Sequence, residues 1–129
     1  MQLGYTILYV DDVGAALAFY ERAFGFATRF AHESGDWGEL DTGATTLAFC
    51  SRALLRQQGK TPAAPNPDSP SAEIALVADD VPGALARALQ AGASLKQPVE
   101  HMPWGQTVAY VADPEGFWVE LCTPVSLAA

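Results

Sequence analysis

Residues 5–18 and 73–86 are two copies of one unit. YTILYVDDVGAALA aligns without a gap on EIALVADDVPGALA, so that Leu8, Asp11, Asp12, Val13, Ala16, Leu17 and Ala18 recur as Leu76, Asp79, Asp80, Val81, Ala84, Leu85 and Ala86. A second echo closes each half, where LAFCS at 47–51 resembles VELCT at 119–123. Such a repeat constrains the fold more than any single motif, because each copy is one supersecondary unit that cannot bury its apolar face alone. It implies two similar modules making a site between them, each site position having a counterpart in the other half.

The 129 residues suit one domain, and half of them are hydrophobic against 17% charged, so a substantial core is available. Fifteen acids against 7 bases give a net charge of −8. That field repels phosphate backbones and anionic lipid, which argues against nucleic-acid or membrane partners and favours a cationic ligand. No basic segment leads into a long apolar run, so neither a signal peptide nor a membrane span is expected. Two cysteines in such a chain read as reduced thiols, and the expected location is the cytoplasm.

Periodicity divides each half in the same way. Residues 6–10 read as a strand, Asp11 and Asp12 as helix-start acceptors, and Val13 to Phe24 as an amphipathic helix that Gly25 can end. In the second half, residues 74–77 are the strand, Asp80 the cap, Pro82 a first-turn proline and Gly92 the stop. Short β-like runs follow at 26–31, 37–41 and 45–51, and again at 95–97, 107–111 and 117–122. Each half is therefore β-α-β-β-β, with a first module at 1–58 and a second at 72–125. Between them, residues 59–71 carry four prolines and no periodicity, which reads as a linker or mobile loop.

These motifs resemble the vicinal-oxygen-chelate superfamily, which includes glyoxalase I, extradiol dioxygenases, fosfomycin resistance enzymes and bleomycin resistance proteins. The resemblance rests on VDDVGAALAFY at 10–20 with FGF at 24–26, VADDV at 77–81 with Gly92-Ala93, PWGQ at 103–106, and VADPEGFWVEL at 111–121. It implies an α+β fold in which two tandem βαβββ modules form an open eight-stranded cup, and it implies a homodimer.

Metal-dependent members of that superfamily hold a divalent ion with four side chains, on the first and last strands of each module. Carried onto this chain, the positions are Tyr5 and Ala48 in the first half and Glu73 and Glu120 in the second. The repeat supports the pairing, since Tyr5 aligns with Glu73 and Ala48 with Glu120. Glu73 and Glu120 suit a hard ion, Tyr5 is an uncommon ligand, and Ala48 is none. Zinc, nickel or iron want three or four donors including imidazole, and neither His32 nor His101 falls on a ligand strand. A divalent metal is disfavoured and no cofactor is expected.

Strand alternation puts Tyr5, Ile7 and Tyr9 on one face, with Glu73, Ala75 and Val77, then Thr46, Ala48 and Cys50, then Trp118, Glu120 and Cys122 on others. If the superfamily's orientation holds, these faces line the cup as an apolar, aromatic pocket with two carboxylates. Glu73 and Glu120 would repel, so one should keep its proton to higher pH, as a general acid/base or as a seat for an ammonium or guanidinium group. Equally, Glu120 is a relic satisfied by the Tyr5 hydroxyl or by backbone. Trp37 and Trp104, near loop or strand ends, suit stacking on planar ligands but serve as well as rim or dimer contacts. Cys50 and Cys122 read as core thiols, since no activating base is in view.

Three functions stand in order. The first is a metal-independent, bleomycin-resistance-type binder of a small organic ligand, cationic or aromatic, through Tyr5, Ile7, Tyr9, Trp37, Cys50, Trp104 and Trp118. The second is a glyoxalase-like lyase or isomerase with Glu120 as general base, assisted by Glu73 or Tyr5, with or without a divalent metal. The third is an interaction module with a vestigial cup.

Overall fold

The computed structural model describes residues 1–125. Contacts divide the chain into two compact units, Met1–Ala64 and a second beginning at Pro65. The division falls inside the proline-rich 59–71 segment.

In the first unit, β1 (Tyr5–Val10) leads into α1 (Val13–Phe24), followed by β2 (Thr28–Ala31), β3 (Trp37–Leu40), β4 (Thr46–Ser51) and a short α2 (Arg52–Gln57). The sheet runs β1-β4-β3-β2, with β1 parallel to β4 and the other pairs antiparallel. Helix α1 starts where Asp12 accepts a hydrogen bond from the Ala15 amide at 3.0 Å, and ends at Gly25, whose φ of 80° a side chain would resist. It buries Val13, Ala16, Leu17, Phe19, Tyr20 and Ala23, with the Tyr20 ring 5.1 Å from that of Phe49 on β4. The helix approaches β3 so closely at Gly38 that a Cβ there would lie 2.7 Å from Leu17 Cδ1 and 2.9 Å from Val13 Cγ1.

Helix α2 was not foreseen. Ser51, the last residue of β4, caps it by accepting from the Leu54 amide at 3.0 Å. Its first residue, Arg52, is buried, with Nη1 donating to the Tyr9 carbonyl at 2.7 Å and Nε to Asp11 Oδ1 at 3.1 Å. The guanidinium thereby ties the end of β1 to the end of β4. Of the adjoining acids, only Asp12 caps α1, and Asp11 holds Arg52.

The second unit repeats the plan with β5 (Glu73–Val77), α3 (Val81–Ala91), β6 (Ser94–His101), β7 (Thr107–Ala112) and β8 (Trp118–Cys122) in the order β5-β8-β7-β6. Asp80 caps α3 through the Gly83 amide at 3.0 Å, and Gly92 closes it at φ 117°. The DPEG turn between β7 and β8 is built on Asp113, a buried carboxylate that accepts from the amides of Glu115, Gly116 and Phe117 at 2.9–3.0 Å. Strand β6 runs through Pro98, past the expected end at residue 97. As an edge strand it tolerates a residue without an amide proton. Both units are therefore built on βαβββ, the first with α2 added after its last strand; each is a four-stranded sheet carrying helix on one face, and the fold is α+β.

The proline-rich segment is not featureless. Residues 59–64 belong with the first unit, while residues 65–71 lie against the second: Pro67 accepts the Trp118 indole N–H at 2.7 Å, and Asp68 pairs with Lys96 at 3.4 Å.

Candidate functional site

Alternation along β5 and β8, and the register between β7 and β8, assemble one polar cluster in the second unit. Glu73 lies opposite Trp118, and Glu120 opposite both Ala75 on β5 and Tyr110 on β7. All project from the face away from α3. The Tyr110 hydroxyl donates to Glu120 Oε1 at 2.5 Å, and the Tyr110 and Trp118 rings sit 5.7 Å apart. Glu73 and Glu120 stand on one face of neighbouring strands, two register positions apart. Partial desolvation, then the charge of Glu120, then hydrogen bonding to Glu120 hold the Glu73 carboxyl above its ordinary value. The same neighbourhood pushes the Tyr110 phenol up, first through its bond to Glu120 and then through burial. An open cleft of about 390 Å³ is lined here by Glu73, Gln97, Tyr110 and Trp118, and by Pro70 and Ser71 of the proline-rich segment.

The equivalent face of the first unit has different chemistry. Tyr5, Ile7 and Tyr9 are exposed along β1, as alternation required, and Tyr5 packs edge-on against Trp37 with centroids 6.1 Å apart. Opposite Ala48, where Tyr110 faces Glu120 in the second unit, stands Glu39. Its carboxylate accepts the Trp37 indole N–H at 2.9 Å and pairs with Arg29 Nε at 3.8 Å, while Arg29 Nη1 donates to Thr46 Oγ1 at 3.3 Å. The first unit therefore neutralises its acid internally, and the second leaves two carboxyls facing each other.

The remaining expected site residues divide between these settings. Cys50 and Cys122 are both buried free thiols. Burial first, then Asp36, pushes the Cys50 thiol up; burial, then Glu120, does so for Cys122. Both environments oppose the thiolate that a nucleophile needs. Trp104 is exposed in the β6–β7 turn, its indole donating to Gln106 Oε1 at 2.7 Å, and it does not line the carboxylate cleft. His101 ends β6 with Nδ1 2.9 Å from Thr107 Oγ1. The donor that satisfies Glu120 is Tyr110, where the sequence suggested Tyr5 or backbone. Tyr110, Gln97, Arg29 and Glu39 were missed by sequence reasoning. The tight β7–β8 turn offered the one available signal, since it sets Tyr110 opposite Glu120.

The four positions at which the superfamily holds a metal do not supply a donor set for zinc, nickel or iron. Ala48 carries no donor atom, Tyr5 is an uncommon ligand, and no imidazole stands at any of the four. Among the described residues, no three His, Cys, Asp or Glu side chains gather as metal ligands would.

Comparison with known proteins agrees with the fold. The sequence pattern of the Glyoxalase/Bleomycin resistance protein/Dioxygenase superfamily matches residues 2–121, and the chain belongs to that superfamily. An uncharacterized protein of Mycobacterium bovis is 31% identical over 123 residues, covering 92% of this chain and 80% of its own. A glyoxalase-related enzyme from Fulvimarina pelagi superposes with a TM-score of 0.82 at 24% identity, over 100% of this chain and 99% of that one. A glyoxalase/bleomycin resistance protein/dioxygenase family enzyme from Burkholderia phytofirmans gives 0.78 at 23% identity, over 98% and 100%. At such identities the solved structures establish the shared fold, which hosts several chemistries. No helix among the described residues is long and apolar enough to cross a membrane.

Proposed function

We propose that the protein binds a small organic cation on the carboxylate and aromatic face of its second unit, without a metal, in the manner of bleomycin-resistance-type proteins. The observation that carries this reading is the pairing of Glu73 with Glu120 beside the Tyr110 and Trp118 rings, at an open cleft. An ammonium or guanidinium group seated between the carboxyls replaces their mutual repulsion with two attractions, while a flat ring finds aromatic walls. The net charge of −8 draws cations to the molecule at long range. Metal independence rests on the donor set, in which Ala48 has nothing to offer and Tyr5 is an uncommon ligand.

Titration of tryptophan fluorescence tests the proposal. Benzylammonium and a basic glycopeptide antibiotic should change the emission with saturation, and benzoate should not. Saturable binding of benzoate with no response to the cations would overturn it.

One observation favours a second reading. A carboxyl that holds its proton beside a partner carboxylate is an acid next to a base, the arrangement that proton-transferring enzymes use. In a lyase or isomerase, Glu120 would take a proton from the substrate and Glu73 would return one. Glu120→Gln separates the two: a binder loses affinity, whereas an enzyme loses turnover and keeps affinity.

A further inference from the structure

We infer that residues 65–71 are a fixed wall of the Glu73 cleft and that Trp118 is the positioning residue that latches them there, which sets how large a ligand the cleft accepts. The inference deepens the binding proposal and rests on the cleft being the ligand site. Trp118 was expected to offer its ring to a ligand, yet its indole N–H is already committed to the Pro67 carbonyl at 2.7 Å. An N–H donor lining a binding cleft is free to meet a ligand only if nothing else holds it. Here it holds the chain itself.

Three further contacts fix the same segment. Asp68 pairs with Lys96 of β6 at 3.4 Å, outside the cleft lining. Gly116 lies so close that a Cβ on it would be 3.3 Å from both the Pro65 carbonyl oxygen and Pro67 Cδ. Asn66 closes a turn by accepting from the Asp68 amide through its side chain at 2.9 Å and from the Ser69 amide through its carbonyl at 3.1 Å. Beyond that turn, Pro70 and Ser71 supply the cleft wall next to Glu73. Four prolines in residues 59–71 limit the conformations of the freed segment, so few contacts suffice to order it.

Two variants test this, the latch without any ligand. Trp118→Phe keeps a ring beside Tyr110 and removes the indole donor; the charge-neutral pair Asp68→Asn with Lys96→Gln loosens the segment from a point outside the cleft. Hydrogen exchange should show the Asp68 and Ser69 amides opening about tenfold faster in each, with the Tyr110 amide unchanged. Unchanged exchange in Trp118→Phe would overturn the latch. Faster exchange that leaves cation selectivity at the cleft unchanged would overturn the wall. With benzylammonium as probe, a loosened wall should also narrow the gap in affinity between it and a bulkier cation such as benzyltrimethylammonium. If neither cation binds the wild type, the binding proposal fails, while exchange still decides the latch.

Discussion

The Tyr110 hydroxyl donates to Glu120 at 2.5 Å from the strand directly alongside, a tyrosine on β7 bracing the carboxylate that the superfamily's metal-dependent members use as a ligand. The bond gives Glu120 a fixed direction toward Glu73 and spends one of its oxygens. Tyr110→Phe removes the donor and leaves the ring. Because a hydrogen bond to a charged group contributes roughly 1.5–3 kcal/mol, and this pair is only partly buried, a loss near the lower end is expected in urea denaturation.

Glu73 makes stability depend on pH in a predictable direction. Its carboxyl binds a proton more tightly in the folded state than its ordinary value of 4.5. The folded chain therefore carries the extra proton, and that contribution is present in full below 4.5 and lost as pH rises through the raised folded value. Urea midpoints compared between wild type and Glu73→Gln from pH 4 to 8 should show the variant gaining relative stability toward high pH. A gap that does not change with pH would show that Glu73 is unshifted.

The same proton governs binding. A cation between Glu73 and Glu120 favours the doubly ionised pair, so affinity for benzylammonium should rise as pH climbs through the raised Glu73 value, with proton release on binding. Calorimetry in two buffers of different ionisation enthalpy reads that release directly. In Glu73→Gln the pH dependence should flatten.

Arg52 and Asp11 should contribute very unequally. Arg52 is buried and serves the Tyr9 carbonyl as well as Asp11, whereas the Asp11 side chain is 75% exposed. Arg52→Met should cost about 2–4 kcal/mol, since it strips a buried carbonyl and a side chain of their donor. Asp11→Asn should cost under about 1 kcal/mol, as for an exposed pair. Comparable losses in chemical denaturation would mean that the ion pair, rather than the carbonyl, holds the helix.

Gly38→Ala tests the closeness of α1 and β3. The added methyl meets Leu17 and Val13 under 3.0 Å, and overpacking of this kind costs about 1–3 kcal/mol. Leu17→Ala in the same chain should relieve part of it, so the double variant should be more stable than the sum of the single losses.

Much of this fold was legible because the repeat states it twice. Asp12 and Asp80 cap as read, Gly25 and Gly92 end their helices, and period-two alternation places Glu73 and Glu120 on one face of one sheet. What stayed hidden depends on register across strands. Tyr110 meets Glu120, and Glu39 meets Ala48, only through antiparallel pairings that turns and bulges set. The bulges flanking Gln97 are invisible to periodicity, so its place in the cleft was too. Helix α2 was missed because Ser51 is both the last residue of a strand and a helix cap, with no turn residue between. The contact of Trp118 with the Pro67 carbonyl joins residues 51 positions apart, which no local pattern encodes.

Calorimetric titration of benzylammonium into chelator-treated protein, wild type beside Glu120→Gln, tests cation binding without a metal most directly. The expected result is saturable binding unchanged by added zinc, nickel, manganese or iron, and weakened at least about tenfold by the substitution, as loss of a charged hydrogen-bond partner implies. Binding that appears only when one of those ions is restored, or that is indifferent to Glu120→Gln, would contradict it.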